Sequence, residues 1–216
     1  QEALLAHLSA HRGIKAKPQQ ILIVPTAQAG IALVAAALLE PGDHAWAESP
    51  GYGGAYVAFK AAGAIVSPMP LDEQGMTIGS RKDAPRVIFV TPSHQYPTGR
   101  LMPIGRRLEL LRYAEAVGAC IIEDDYDGEF HYEARPVAAL QGLAPSPRIF
   151  YLGTFSKATY ADIRLGYVVV PEAQVDIFEL AQRHMGMLTS ITMQDALAEF
   201  IGAGAYLGHI RRMTRL

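Results

Sequence analysis

Seven short β-rich runs recur along the chain, and several hold a continuous apolar stretch. They are "ILIVP" (Ile21–Pro25), "HAWAE" (His44–Glu48), "AIVSPMP" (Ala64–Pro70), "RVIFVTP" (Arg86–Pro92), "ACIIED" (Ala119–Asp124), "RIFYLGT" (Arg148–Thr154) and "LGYVVVP" (Leu165–Pro171). A strand can be apolar throughout only when both of its faces are covered. The stretches between them read as helices: Gln28–Leu39, stopped by "PGD", then Gly51–Ala62, Ile104–Val117 with apolar residues at helical spacing, and Val175–Met185. The alternation predicts an α/β fold, a mostly parallel central sheet with helices on both faces. Without a repeat or low-complexity linker, residues 1–216 read as one domain.

Composition narrows the function classes. Half of the residues are hydrophobic, 19% are charged and the formal net charge is −2. Such a balance leaves no basic footprint for nucleic acid or an anionic membrane. The longest strongly apolar run, "AGIALVAAALL", is too short to span a bilayer. One cysteine, Cys120, cannot form an intrachain disulfide, which fits a reducing cytoplasm. The chain opens on "QEALLAHLSAHRG" and closes on "HIRRMTRL", both helix-like, and reads as a fragment of something longer.

In parallel α/β sheets, ligands sit beyond the carboxyl ends of the strands. Most of the unusual chemistry of this chain lies at five such exits: "TAQAG", "SPGYGG", "SHQYPTG", "EDDYDGEF" and "TFSK". Lys157 ends the last of them. A lysine is ordinarily a solvated surface residue, yet its neutral amine is a nucleophile toward carbonyl carbon. Thr154, Ser156 and the cationic fork of Arg164 surround it in sequence and suit a phosphate group. An amine beside a phosphate site suggests pyridoxal phosphate, which bonds to lysine through its aldehyde.

The other exits have more than one reading each. "EDDYDGEF" (Glu123–Phe130) could be a solvated charge run, a site for a hard cation, or a carboxylate facing a cationic ring nitrogen. The metal reading is the weaker, because no G-x-x-x-x-G-K-[ST], H-E-x-x-H or paired C-x-x-C accompanies it. "PTAQAG" enters a helix, so the amides of Ala27 and Gln28 could cradle a phosphate. Tyr52 could stack on a flat ring or simply pack in the core. Tyr96 belongs to a "YPTG" turn, and "GYGGAY" does not complete a dinucleotide fingerprint. Of the histidines (His7, His11, His44, His94, His131, His184 and His209), only His94 falls in a candidate site loop.

Taken in order, these loops resemble the fold-type I pyridoxal-phosphate proteins, the aspartate aminotransferase superfamily. "TFSK" followed by "IRLGY" looks like its lysine-to-arginine signature, and "YPTG" like its "NPTG" turn. "TPSHQYPTG", "IIEDDYDGEFHY", "PVAALQGL" and "YLGTFSK" are similar to the aminotransferase-like domain of MocR/GabR-type regulators of the GntR family. The resemblance runs the length of the chain. It implies that Lys157 carries the cofactor as an aldimine, Asp124 pairs with the pyridine nitrogen, Tyr126 bonds the phenolic oxygen and Tyr52 stacks on the ring. Ala27, Gln28, Thr154, Ser156 and Arg164 match the phosphate-binding set. Tyr96 replaces the asparagine of "NPTG", as is usual in the MocR branch.

Two departures are visible. Thr26 stands where the phosphate turn usually has glycine, and can offer its amide only if its backbone avoids the left-handed region. "ATYADIR" lacks the proline common before the arginine. The superfamily's small C-terminal domain and the regulators' N-terminal winged helix fall outside these residues. The resemblance thus implies the effector domain of a DNA-binding regulator, a homodimer that senses an amino compound or the cofactor. The alternative is an aminotransferase acting on an amino acid and a 2-oxo acid.

Overall fold

The computed structural model describes residues 1–78, 83–130, 137–144 and 148–215. In chain order the elements are α1 (Glu2–Arg12), β1 (Ile21–Val24), α2 (Ala27–Leu38), β2 (His44–Ser49), α3 (Gly53–Ala61), β3 (Ile65–Asp72) and β4 (Gly75–Met76). They continue through β5 (Val87–Val90), α4 (Ile104–Val117), β6 (Cys120–Asp124), α5 (Leu140–Leu143), β7 (Ile149–Thr154), β8 (Gly166–Val169), α6 (Val175–His184), α7 (Ile191–Gly202) and α8 (Ala205–Met213).

The strands form one sheet in the order β1-β8-β7-β6-β5-β2-β3-β4. Neighbours from β7 across to β3 pair in parallel, whereas β8 runs antiparallel to both β1 and β7, and β4 antiparallel to β3. The α/β class and the two-sided covering agree with the sequence expectation. The direction of β8 was not legible, because an apolar run carries no orientation. β4 is too short for any periodicity to show, and α5 and α7 went unpredicted.

Strict alternation along each strand explains the unbroken apolar runs. Leu22, Val24, Ala45, Phe89, Ile122, Phe150, Leu152 and Val168 enter one core with residues of α2, α3 and α6. Their strand neighbours face the other way. Ile21, Tyr151, Tyr167 and Val169 meet α1, α7 and α8, while Trp46, Ile88, Val90 and Ile121 meet α4. Successive side chains point to opposite faces, so a strand between two cores has no polar side to show.

The register also brings two strand exits together. Val24 of β1 and Thr154 of β7 are both partners of Gly166 in β8, one on each side. A Cβ added at Gly166 would lie 2.9 Å from the Ala27 nitrogen and 3.0 Å from the Gly153 carbonyl oxygen. Those atoms belong to the backbone and cannot rotate away, so only glycine lets α2 start this close to β7.

Gly166→Ala is therefore expected to lower the unfolding free energy by about 1–3 kcal/mol, as overpacking does, read from the urea midpoint. An unchanged midpoint would show that the α2 start tolerates displacement.

Candidate active site

Beyond the carboxyl ends of the strands lies a cavity of about 360 Å³, lined by Thr26, Ala27, Gln28, Tyr52, Thr91, Tyr96, Asp124, Tyr126, Thr154, Ser156 and Lys157. All five strand exits singled out in the sequence contribute to it. A larger cavity of about 580 Å³ lies at the amino ends of β6 and β7, against α4, and holds none of this chemistry.

Three consecutive carboxylates end β6, and strand alternation sorts them. Glu123 and Asp125 share the phase of Ile121 and face the side of α1 and α4. There Glu123 accepts from the amides of Leu140 and Gln141 at 2.9 and 3.2 Å and lies 3.6 Å from the guanidinium of Arg107. Asp125 accepts from Arg12 Nε and from the Tyr151 hydroxyl, both at 2.6 Å. Asp124 has the phase of Ile122 and turns to the cavity, with one carboxylate oxygen buried and without a partner. Burial, then the charges of Asp125, Asp127 and Glu48, pushes its carboxyl from 3.8 up to about 7. The site thus holds a carboxyl that wants either a proton or a cation.

Another part of the lining suits an anion. Thr26 is extended (φ −158°, ψ 162°), outside the left-handed region, and its hydroxyl caps α2 by accepting from the Ala29 amide at 3.0 Å. The Gly30 amide donates to the Thr26 carbonyl at 3.1 Å. That leaves the amides of Ala27 and Gln28 as the open start of a 12-residue helix with no acidic residue in its first turn. The Gln28 side chain donates to the Gly54 carbonyl at 3.0 Å, tying α2 to α3 beside Tyr52. Beside this helix start, the Ser156 amide donates to Thr154 Oγ1 at 3.2 Å.

Lys157 sits between the buried Ala158 and the partly exposed Ser156, exposed itself yet on the cavity wall. Arg164 is not brought to that wall. Its backbone is left-handed (φ 44°, ψ 48°), its side chain is exposed, and it forms no hydrogen bond or ion pair with any described residue.

Aromatic rings close the remaining sides. Tyr96 meets Tyr52 edge-on with centroids 5.9 Å apart, and Tyr126 edge-on at 6.2 Å. Burial, then Asp127 and Asp124, raises the Tyr126 phenol to about 12, so it stays a proton donor at neutral pH.

Sequence reasoning missed the residues that set Tyr96. Thr91 Oγ1 donates to Glu48 Oε2 at 2.6 Å and accepts from the Tyr96 amide at 3.0 Å. Gln95 donates to the same Glu48 oxygen at 3.3 Å and to the Pro50 carbonyl at 3.0 Å. Burial pushes the Glu48 carboxyl up to about 7, against the hydrogen bonds of Thr91 and Gln95. The strand-exit rule could have found Thr91, the first residue after β5. His94 Nδ1 lies 2.9 Å from Asp127 Oδ1, linking two of the loops. His131, Tyr132 and Pro136 of the quoted motifs lie outside the described residues.

An amine, a buried partnerless carboxyl and an open helix start around one cavity are the marks of a protein built for a phosphorylated, cationic, carbonyl-bearing ring. The comparisons agree. The chain belongs to the family of aminotransferases class I and II, which it matches over residues 1–211. It is 41% identical to a probable rhizopine catabolism regulatory protein, MocR, of Rhizobium meliloti, over 99% of this chain and 44% of that one. It is 33% identical to the HTH-type pyridoxine biosynthesis transcriptional regulator PdxR of Corynebacterium glutamicum, over 97% of this chain and 46% of that one. The chain thus spans somewhat under half the length of these curated relatives. Among solved structures, a kynurenine aminotransferase of Pyrococcus horikoshii, in complex with PMP, superposes with a TM-score of 0.91 at 28% identity, covering 99% of this chain and 55% of that one. Family and fold support pyridoxal phosphate as the cofactor. Among the described residues no helix is long and apolar enough to cross a membrane.

Asp124 also gives a pH prediction. A carboxyl whose folded value of about 7 exceeds its ordinary 3.8 contributes stability below pH 3.8 and loses it as pH rises through 7. Asp124→Asn cannot ionise. Its cofactor-free form should melt several degrees above wild type at pH 8, at ~2–4 °C per kcal/mol for a domain of this size, with the gap closing toward pH 5. Equal melting at both values would refute the buried charge.

Proposed function

We propose that residues 1–216 are the cofactor-binding large domain of a MocR-like transcriptional regulator, a cytoplasmic homodimer that holds pyridoxal phosphate and responds to an amino compound or to the cofactor itself. The observation that carries this reading is Asp124: a buried carboxyl without a partner, on the wall of the same cavity as Lys157 and the open start of α2. When bound, pyridoxal phosphate supplies an aldehyde that reacts with amines and a ring that accepts electrons.

The side chains would divide the work. Lys157 would supply the amine that holds the cofactor's aldehyde, and its exposed position leaves this part of the cavity open to a small amine. Asp124 holds the charge opposite the ring nitrogen, where a cation restores to it what burial took away. Tyr126 would donate to the cofactor's phenolic oxygen, and Tyr52 would offer its ring for stacking. The amides of Ala27 and Gln28, with Thr154 and Ser156, bind the phosphate. Arg164, which no described residue engages, is available as a further cation for it. Tyr96, held by Thr91, crowds Tyr52 and Tyr126 from the side.

DNA contact would belong to chain outside these residues; the relative named as an HTH-type regulator is more than twice the length matched here. The enzyme reading rests on the aminotransferase fold of the solved match. In that case Lys157 would also move a proton between the substrate's α-carbon and the cofactor. The regulator reading is favoured by the 41% identity to a regulatory protein.

The test uses the full-length protein loaded with pyridoxal phosphate. A visible band from the lysine-bound cofactor is expected, lost in Lys157→Ala. Added amine should change that band and the affinity for operator DNA without sustained conversion of an amino donor and a 2-oxo acid. A band that persists in Lys157→Ala would overturn the cofactor site. Sustained turnover with unchanged DNA affinity would favour the enzyme.

A further inference from the structure

The cavity wall is held from behind by one side chain of the first helix. Arg12 ends α1, is 3% exposed and reaches under the sheet. Its Nε donates to Asp125 Oδ2 at 2.6 Å, and a terminal nitrogen donates to Ser93 Oγ at 2.6 Å. Asp125 is the residue between Asp124 and Tyr126, both of which line the cavity. Ser93 lies in the loop after β5, between Thr91 and Tyr96, which line it as well. One guanidinium therefore spans the two loops that bring four of the cavity's side chains, while its own bonds go to Asp125 and Ser93.

The pair is built to persist. The Asp125 carboxylate is fully buried, is bonded by Tyr151 as well, and its amide donates to the Leu152 carbonyl at 2.9 Å. Burial works against the Arg12 charge, but Asp125 and Tyr151 outweigh it and raise its proton affinity. The neighbouring buried arginine differs. Arg107 spends its hydrogen bonds on the carbonyls of Met102, Ala138 and Pro92 and lies 3.6 Å from Glu123, so it pairs with the acid before Asp124 and makes no bond to Asp125, the residue between Asp124 and Tyr126.

We propose that Arg12 is a positioning residue for the cofactor site, fixing Asp124 and Tyr126 on one loop against Thr91 and Tyr96 on the other through its fork to Asp125 and Ser93. The proposal rests on the reading of the cavity as a pyridoxal-phosphate site. Lysine keeps the charge but lacks a planar fork, so it cannot serve both partners in the same geometry.

The test compares Arg12→Lys and Ser93→Ala with wild type in the full-length protein. It measures pyridoxal phosphate affinity, the wavelength of the visible band, and melting of the cofactor-free form. Arg12→Lys should bind about tenfold more weakly, the equivalent of one charge-assisted hydrogen bond, and should shift the band. Ser93→Ala, which leaves the ion pair intact, should move both readouts in the same direction by less. A purely structural role would lower melting while leaving affinity and band unchanged, and that result overturns the proposal. Should Arg12→Lys not fold, Ser93→Ala decides on the same two readouts. A wild-type protein that binds no pyridoxal phosphate would instead remove the underlying reading, an outcome visible before any variant is made.

Discussion

An ionisable group buried without a partner is among the costliest things a fold can hold, and Asp124 is such a group. It stands at the end of β6, an interior strand of the parallel part of the sheet, with helices over both faces. Water cannot solvate it freely there, and no arginine or lysine among the described residues bonds to it. Glu123 and Asp125, its immediate neighbours, are served by arginines, which shows that the chain pairs buried carboxylates where pairing is wanted. Of the three acids that end β6, the exception is the one that turns to the cavity. A cationic ring seated there would lower the carboxyl's proton affinity and recover the cost of burial as binding energy.

The rest of the site follows from the same strand geometry. Because side chains alternate, a run of three acids cannot face one ligand together. One acid goes to the cavity and two go to the opposite face, where Arg12 and Arg107 hold them. The loops after β5 and β6 are thus anchored from below and free to shape the cavity above. On the anion side, β1 and β7 flank the narrow Gly166, so α2 and the Thr154–Lys157 turn converge although far apart in sequence. The result is a negative pole and a positive pole in the lining of one cavity, which three tyrosines share. That polarity matches a ring bearing a cationic nitrogen and an anionic phosphate.

Much of this was legible in the residues. Fully apolar runs announced two-sided strands, and the strand-exit rule gathered Thr26–Gln28, Tyr52, Tyr96, Asp124, Tyr126 and Thr154–Lys157 around one cavity. The concern over Thr26 resolves in the structure, because an extended threonine caps the helix that a glycine would only have permitted. Other features were hidden for physical reasons. Apolar composition cannot show that β8 runs antiparallel, since direction depends on the short connection from β7. Arg12 reads as an ordinary last-turn helix residue, and only the tertiary fold places it beneath Asp125, 113 residues away. Glu48 and Gln95 look like surface polars at strand and loop ends, yet both are buried and hold Thr91 and Tyr96. Arg164 shows the opposite limit, for sequence spacing associated it with a phosphate site, and its side chain here stands off the cavity wall.

The central claim is that Lys157, alone among the chain's five lysines, bonds to pyridoxal phosphate. Borohydride reduction of the loaded protein, followed by peptide mass spectrometry, asks this directly. The account predicts a covalent pyridoxyl label on the peptide containing Lys157 and on no other. A label on Lys15, Lys17, Lys60 or Lys82 in its place, or a cofactor that washes away unreduced, would contradict it.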